Sequence, residues 1–386
     1  MDLDFSNPSR LVPPHVNCKN THFYILVRKI IPMSYFSSRV LSIQSHVVHG
    51  HVGNKSSVFP LQLAGFEVDQ INTCQLSHHT GYGRMPPGVR HSGDEVTALF
   101  DGLRAAGLFS SYTHVLSGYT NQTSVLLALA TALKDMISLK QSESELFYIC
   151  DPVLGDNGRL YVPEALIPVY RDVLIPLSSL VTPNQFEAEV LTGIKISNAS
   201  TLNECFDKLH SLGAKSIVIT STDRSLSGDD HLWMFVSCPI EEVSNSRMML
   251  SSDITASTRR FGIQVPRLDY NFAGTGDLTT ALFVIERSRH PRDFVSVLEN
   301  VATILYSVCN RTVEYTKRCT GNAPGFVDRS SISAMATASS SNPDVPIAAF
   351  GELRLIQSRH DFDRPPRDEF CSLIHILPSL ESFSWK

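Results

Sequence analysis

From Arg39 onward, short apolar runs alternate with segments of helical periodicity. Val40, Leu41 and Ile43 predict a buried strand, and a glycine-containing loop follows. Asn54–Ala64 has helical character and stops at Gly65, a C-cap signal. Glu67–Thr73 alternates apolar and polar residues as a strand does, and Ser92-Gly93-Asp94-Glu95 has the spacing of a capping box that opens a helix reaching about Ala106. Thr113–Ser117 predicts a strand, Thr123–Ile137 a long amphipathic helix and Leu146–Cys150 another strand. Leu180-Val181 leads into Thr182-Pro183, which places Thr182 as an N-cap and Pro183 as the first residue of a helix that ends near Gly193. A helix at Leu202–Leu212 and the β-branched run Ser216–Thr220 continue the series.

Such alternation predicts an α/β fold with a mainly parallel sheet covered on both faces. Ligands of these sheets gather at the carboxyl ends of the strands, and nearly every polar motif of this chain falls just after a strand. Further on, His231–Ser237 and Arg259–Val265 read as two strands joined by a polar connection, and Gly274–Arg287 and Phe294–Arg311 as two closing helices. Ser330–Pro346 is rich in Ser, Ala and Pro and reads as a flexible insertion. Glu352–Ser358 returns to strand-like alternation. The expected organisation is therefore an N-terminal extension at 1–38, a main domain at 39–320, an insertion at 321–350, a returning strand at 351–360 and a tail at 361–386.

Composition narrows the function. The 386 residues are 42% hydrophobic and 18% charged, enough for a sizeable core. The net charge of -5, with lysines and arginines scattered, gives no basic stripe, so neither nucleic acid nor a membrane surface is an expected partner. No apolar run is long enough for a spanning helix. Asp2 and Asp4, and the interruption of Phe23–Met33 by Arg28 and Lys29, speak against a transit peptide, leaving the extension as a disordered or a targeting segment. Eight cysteines with no C-x-x-C pair predict reduced thiols and a cytoplasmic protein, with organelle targeting by the extension as the alternative. His46, His49, His51, His78 and His79 lack a supporting carboxylate or cysteine pattern, and no metal site is expected there.

The sharpest chemical signal is Gly274-Thr275-Gly276-Asp277, directly ahead of a helix. Two glycines admit a close ligand, while the free N–H groups of a first helical turn and the helix dipole suit a phosphate. An Asp there can take the proton of an attacking alcohol. Locally this reading stands level with a plain glycine turn whose Asp steadies the helix start. Asp151-Pro152-Val153-Leu154-Gly155-Asp156 adds two carboxylates after a strand, costly to gather unless a cation neutralises them. Thr182-Pro183-Asn184-Gln185-Phe186-Glu187 places Asn184 and Glu187 on a helix start at the same sheet edge. Gly53-Asn54-Lys55-Ser56 imitates the end of a Walker A loop but lacks its glycines.

Together these motifs resemble the pyridoxal kinases of the ribokinase-like superfamily. Ser42-Ile43-Gln44-Ser45-His46, Gly53-Asn54, Phe59-Pro60-Leu61-Gln62 and His79-Thr80-Gly81-Tyr82 look like its vitamin-binding half. Gly118-Tyr119, the 151–156 segment, Tyr161-Val162-Pro163-Glu164, Thr182–Glu189 and Gly274–Asp277 look like the remainder. The resemblance spans roughly Arg39–Arg318 and resumes at Glu352–Ser358. It implies a three-layer α/β/α sandwich, ATP-dependent phosphorylation of the hydroxymethyl group of pyridoxal, pyridoxine and pyridoxamine, and a homodimer.

The resemblance also implies roles. Asp277 would be the general base, with Gly274, Thr275 and Gly276 as an anion hole. Ser45 and Thr80 would hydrogen-bond the pyridine substituents, and Val52 and Tyr119 would pack on the ring. Asp151, Asp156, Thr182, Glu187 and Thr220 would organise Mg2+ and a monovalent cation, K+ or Na+. Asn184, Gln185, Phe186, Thr220 and Ser221 would line the nucleotide, Leu268, Asp269 and Tyr270 would lie near the adenine, and Tyr161 would sit on a flap.

The segment after Tyr82, Gly83-Arg84-Met85-Pro86-Pro87-Gly88, departs from the Trp-Lys-Gly-like lid of the family, and its prolines would stiffen it. His49 and His51 are also unusual beside Gly50, and 223–264 matches poorly. Two alternatives follow. One is a hydroxymethylpyrimidine kinase, whose members usually carry Cys in place of Asp277. The other is a non-catalytic vitamer-binding protein. Sugar kinases would open with a Gly-Gly motif that is missing.

Overall fold

The computed structural model describes residues 38–83, 85–140, 145–223, 226, 230–243, 257–320, 347–366, 375–377 and 380. Residues 1–37 of the extension expected at 1–38, residues 321–346 of the insertion expected at 321–350 and most of the tail lie outside the described residues.

Among the described residues, ten strands form one sheet. In chain order its parallel members are β1 (Arg39–Val47), β2 (Glu67–Leu76), β4 (His114–Ser117), β5 (Phe147–Cys150), β8 (Leu180–Val181) and β9 (Ser216–Ile219), arranged 9-8-5-4-1-2. β3 (Gly88–Arg90) closes one edge antiparallel to β2. β10 (His231–Pro239), β11 (Thr258–Pro266) and β12 (His375–Leu377) extend the other edge antiparallel. A two-stranded ribbon, β6 (Gly155–Asp156) with β7 (Arg159–Leu160), stands apart from the sheet.

One helical layer comprises α2 (Gly93–Ala105), α3 (Thr123–Ser138), α4 (Gln185–Thr192) and α5 (Ala199–Ser211). Its core includes the fully buried rings of Tyr112, Tyr148, Tyr170, Phe100 and Phe206. The other layer comprises α1 (Asn54–Leu63), α6 (Thr275–Arg289) and α7 (Phe294–Thr320), with α6 packed against both of its partners. The expected three-layer sandwich is thus what forms. The apolar run at β1 is buried because parallel strands are covered on both faces. The capping box at Ser92 and Glu95 forms as its spacing predicts, and α4 ends at Gly193 in the left-handed conformation.

Two expectations are corrected. The N-cap of α4 is Asn184, not Thr182. Thr182 donates its N–H to Cys150, and the Pro183 carbonyl accepts from Thr220, so residues 182–183 prolong the ladder of β8 instead of starting a helix. Glu352–Ser358 is not a strand. Leu353 and Leu355 are fully buried, the N–H of Arg354 donates to the Thr312 hydroxyl of α7, and the backbone closes local turns leading into a short helix at Arg359–Asp363. The edge position is taken by β12, from the tail.

Candidate active site

The carboxyl ends of β1, β4, β5, β8 and β9 deliver Ser45, Tyr119, Asp151, Thr182 and Thr220 to one edge of the sheet, and the start of α6 faces them from the helical layer. Gly274 caps α6 at φ 82°, and a Cβ there would stand 2.1 Å from the His51 carbonyl oxygen. Glycine is therefore required twice, for conformation and for space. Gly53, at φ 56°, is equally confined, since its Cβ would meet the Ser45 carbonyl oxygen at 2.0 Å. Asp277 Oδ2 accepts the Gly53 N–H at 2.7 Å, while Ser56 and Ser57 donate their hydroxyls to the carbonyls of Gly274 and Asp277 at 3.0 and 2.8 Å. The glycine-flanked turn and the serine loop of the first strand thus form one site. Asp277 remains partly open to solvent, yet burial raises its carboxyl above the usual aspartate range, against which the Gly53 N–H favours the charged form.

A second carboxylate stands behind the turn. Asp151 Oδ2 lies 3.5 Å from where a Cβ on Gly276 would project, which puts the carboxylate next to the first turn of α6. Burial, then the charges of Glu187 and Asp277, push the Asp151 carboxyl well above its ordinary value. Glu187 is raised by burial to about 7, although it accepts N–H groups from Asn184, Leu154 and Gly155 at 2.9, 2.9 and 3.3 Å. Asp156 adds repulsion to Glu187 and caps its own turn through the Asn157 amide at 2.7 Å. The Thr182 hydroxyl is buried, with no hydrogen-bond partner among the described residues. Buried like charges beside an orphaned hydroxyl fit a cation or a phosphate-bound cation. Among the described residues, however, no three His, Cys, Asp or Glu side chains converge as a metal cage. The donor set suits a cation held largely by phosphate and water.

At the β1 end of the site, Ser45 follows a bulge in the strand and is buried. Val52 and Tyr119 pack together against Val47, Cys74 and Leu76. Thr80 is exposed on the turn Thr80–Tyr82. On the opposite side, the Gln185 N–H donates to the Ser221 carbonyl at 3.1 Å, next to Thr220. Phe186 is half-buried and Tyr161 exposed beside the β6–β7 ribbon. Leu268, Asp269 and Tyr270 run from Arg267, which reaches the Thr222 carbonyl at 3.2 Å, to Tyr270, whose hydroxyl crowds Gly351. The Walker-like decoy resolves structurally: Asn54 is buried among Ser42, Ile71 and Asn72, and Lys55 Nζ donates to the Val48 carbonyl at 2.7 Å.

Sequence reasoning missed Glu352, which joins His51, His79 and Tyr82, and the hydroxyls of Ser56 and Ser57. An acidic residue opening an apolar alternation was the only signal for Glu352, and it read as a strand end.

Comparison with known proteins is consistent along most of the chain. The phosphomethylpyrimidine kinase family matches residues 127–254. A human pyridoxal kinase is 37% identical over 332 residues, covering 85% of this chain and 96% of that protein. An Arabidopsis thaliana pyridoxal kinase is 38% identical over 329 residues, 85% of this chain and 92% of its own. The structure of a Leishmania donovani pyridoxal kinase in complex with ADP and pyridoxine superposes with a TM-score of 0.71 at 30% identity, covering 88% of this chain and 99% of that one.

Proposed function

The chain belongs to the pyridoxal kinase family, and from that premise we propose how it phosphorylates the 5′-hydroxymethyl group of pyridoxal, pyridoxine and pyridoxamine with ATP. Asp277 is the general base. Its carboxylate lies at the start of α6, beside the amides of Thr275 and Gly276, and accepts the proton of the vitamin's alcohol as that oxygen attacks the γ-phosphorus. The P–O bond to ADP breaks as the new one forms, and the first-turn N–H groups of α6 carry the charge spread over the transferred group.

Ser45 and Thr80 hold the ring substituents, and Val52 and Tyr119 form the apolar wall, as their shared packing supports. Asn184, Gln185, Phe186, Thr220 and Ser221 line the phosphates and ribose side, Leu268–Tyr270 the base, and Tyr161 covers the nucleotide from the ribbon. Asp151, Asp156, Thr182, Glu187 and Thr220 would hold Mg2+ and a monovalent cation. Such cations supply positive charge that offsets the phosphates and the mutual repulsion of Asp151 and Glu187. Two copies of the chain form the working unit in this reading, and the cytoplasm is its place. Among the described residues no helix is long and apolar enough to cross a membrane.

The observation that carries the reading is the Gly53 N–H to Asp277 hydrogen bond at 2.7 Å, because it joins the vitamin loop to the phosphate turn. The match to phosphomethylpyrimidine kinases spans 127–254 and leaves out Ser45, Val52 and Thr80, so it speaks to the scaffold and not to the vitamin. A coupled assay with ATP and magnesium tests both: pyridoxal is expected to be phosphorylated well ahead of hydroxymethylpyrimidine. Asp277→Ala should lower turnover by at least about a hundredfold. Near-normal turnover in that variant would remove Asp277 from the mechanism, and tight pyridoxal binding without transfer by the wild type would favour a binding protein.

A further inference from the structure

Glu352 stands far along the chain from the vitamin-binding loops, yet its side chain is where they meet. Oε2 accepts the His51 N–H at 2.8 Å, and Oε1 lies 3.0 Å from His79 Nε2 and accepts the Tyr82 hydroxyl at 2.8 Å. A Cβ on Gly50, at φ 95°, would stand 2.3 Å from Oε1, so the loop turns directly over the carboxylate. The His79 tautomer is set by its surroundings. Nδ1 accepts the Gly81 N–H at 3.0 Å, which leaves Nε2 to carry the proton donated to Glu352. The side chain of Glu352 is almost wholly buried, and the segment behind it is fixed. Thr316 of α7 donates to the Phe350 carbonyl at 2.9 Å, and Leu353 is fully buried. A buried carboxylate that receives three donors from two separate loops is a rigid joint between them.

We propose that Glu352 is a positioning residue for the vitamin: its carboxylate locks the loop carrying Val52 and Gly53 to the turn carrying Thr80, and so sets the distance between the ring wall and the ring's hydrogen-bonding group. The inference rests on the functional reading above. It assigns to Glu352 no contact with substrate. Val52 and Gly53 follow His51 directly, and Thr80 lies between His79 and Tyr82, so each arm of the joint ends within two residues of a vitamin-facing position. His51 also presents its carbonyl to Gly274, which links the same loop to the phosphate turn.

The test is steady-state kinetics on the full chain with pyridoxal and ATP varied separately. Glu352→Ala is expected to raise KM for pyridoxal at least about tenfold and to leave KM for ATP within about twofold. Glu352→Gln should fall between, since one end of the amide must present hydrogens to the His51 N–H or to the His79 and Tyr82 donors. Tyr82→Phe removes a single arm without burying a void, and should raise KM for pyridoxal severalfold in the wild type but add nothing in the Glu352→Ala background. If Glu352→Ala does not fold, Glu352→Gln and Tyr82→Phe carry the decision. Unchanged KM for pyridoxal in both, or equal shifts in the two KM values, would overturn the proposal. A wild-type chain that transfers no phosphate to pyridoxal would instead strike the functional reading beneath it.

Discussion

At the scale of single residues, the site is held by positions where no other side chain fits. Gly274 has a left-handed backbone and a neighbouring carbonyl where a Cβ would be, and that carbonyl belongs to a backbone that is itself pinned by Glu352. Gly274→Ala should therefore cost about 1–3 kcal/mol of stability, read as a lower denaturant midpoint, and should lower turnover as the first turn of α6 is pushed from the serine loop. An unchanged midpoint would mean that the His51 carbonyl yields freely. Glu352 makes a separate prediction about pH. Burial alone would raise its carboxyl, but the hydrogen bonds from His79, the His51 amide and the Tyr82 hydroxyl override it and hold the group at about 2 against an ordinary 4.5. A folded value below the unfolded one means stability that is complete above the ordinary value and is lost as pH falls from there towards about 2. The stability gap between wild type and Glu352→Gln should thus be constant from neutral pH down to about 5, shrink as pH falls below about 4.5 and be largely gone only near about 2. A gap as large near pH 2 as at neutral pH would contradict the ionised joint.

At the scale of elements, α4 shows how a start signal is both readable and ambiguous. Thr182-Pro183 and Asn184-Gln185-Phe186-Glu187 are overlapping capping patterns, and local rules favour neither. The ladder decides, because Cys150 and Thr220 already hold residues 182–183 as strand, which leaves Asn184 to cap. The choice has a chemical consequence: Glu187, as the third helical residue, reaches back both to its own cap and to the amides of Leu154 and Gly155. Asn184→Ala should cost about 1 kcal/mol as a lost cap. It also removes the Asn184 Nδ2 bond to the Gly155 carbonyl at 2.8 Å, so KM for ATP should rise severalfold while KM for pyridoxal stays put. A stability loss with no change for ATP would confine the cap to a structural role. The strand misread at Glu352–Ser358 has the same origin. Alternating buried leucines satisfy the period of a strand, but here they face a long helix, and period alone does not say what lies opposite.

At the scale of the whole molecule, the sheet converts distance along the chain into proximity. Glu352 and His51 are separated by 301 positions and share a hydrogen bond, and Asp277 and Gly53 are separated by 224 and share another. All the site residues lie between Ser45 and Tyr270–Asp277, with Glu352 added from beyond α7. A chain beginning at Ser38, where β1 is about to start, should keep kcat and both KM values within about twofold of the full chain; a large loss would assign the first 37 residues a part in the site.

Most of the parallel sheet and its covering helices were legible in the sequence, because strand burial, helical periodicity and caps are set by neighbours a few residues apart. The glycine turn opening α6 was legible too, since Gly-Thr-Gly-Asp needs only its own helix to form it. What the tertiary structure alone decided was which distant groups meet. It seated Glu352 between two loops, chose Asn184 over Thr182, and drew the last sheet strand from the tail. Each of these depends on a hydrogen-bond or packing partner far away in sequence, and a periodic pattern carries the requirement for such a partner without its identity.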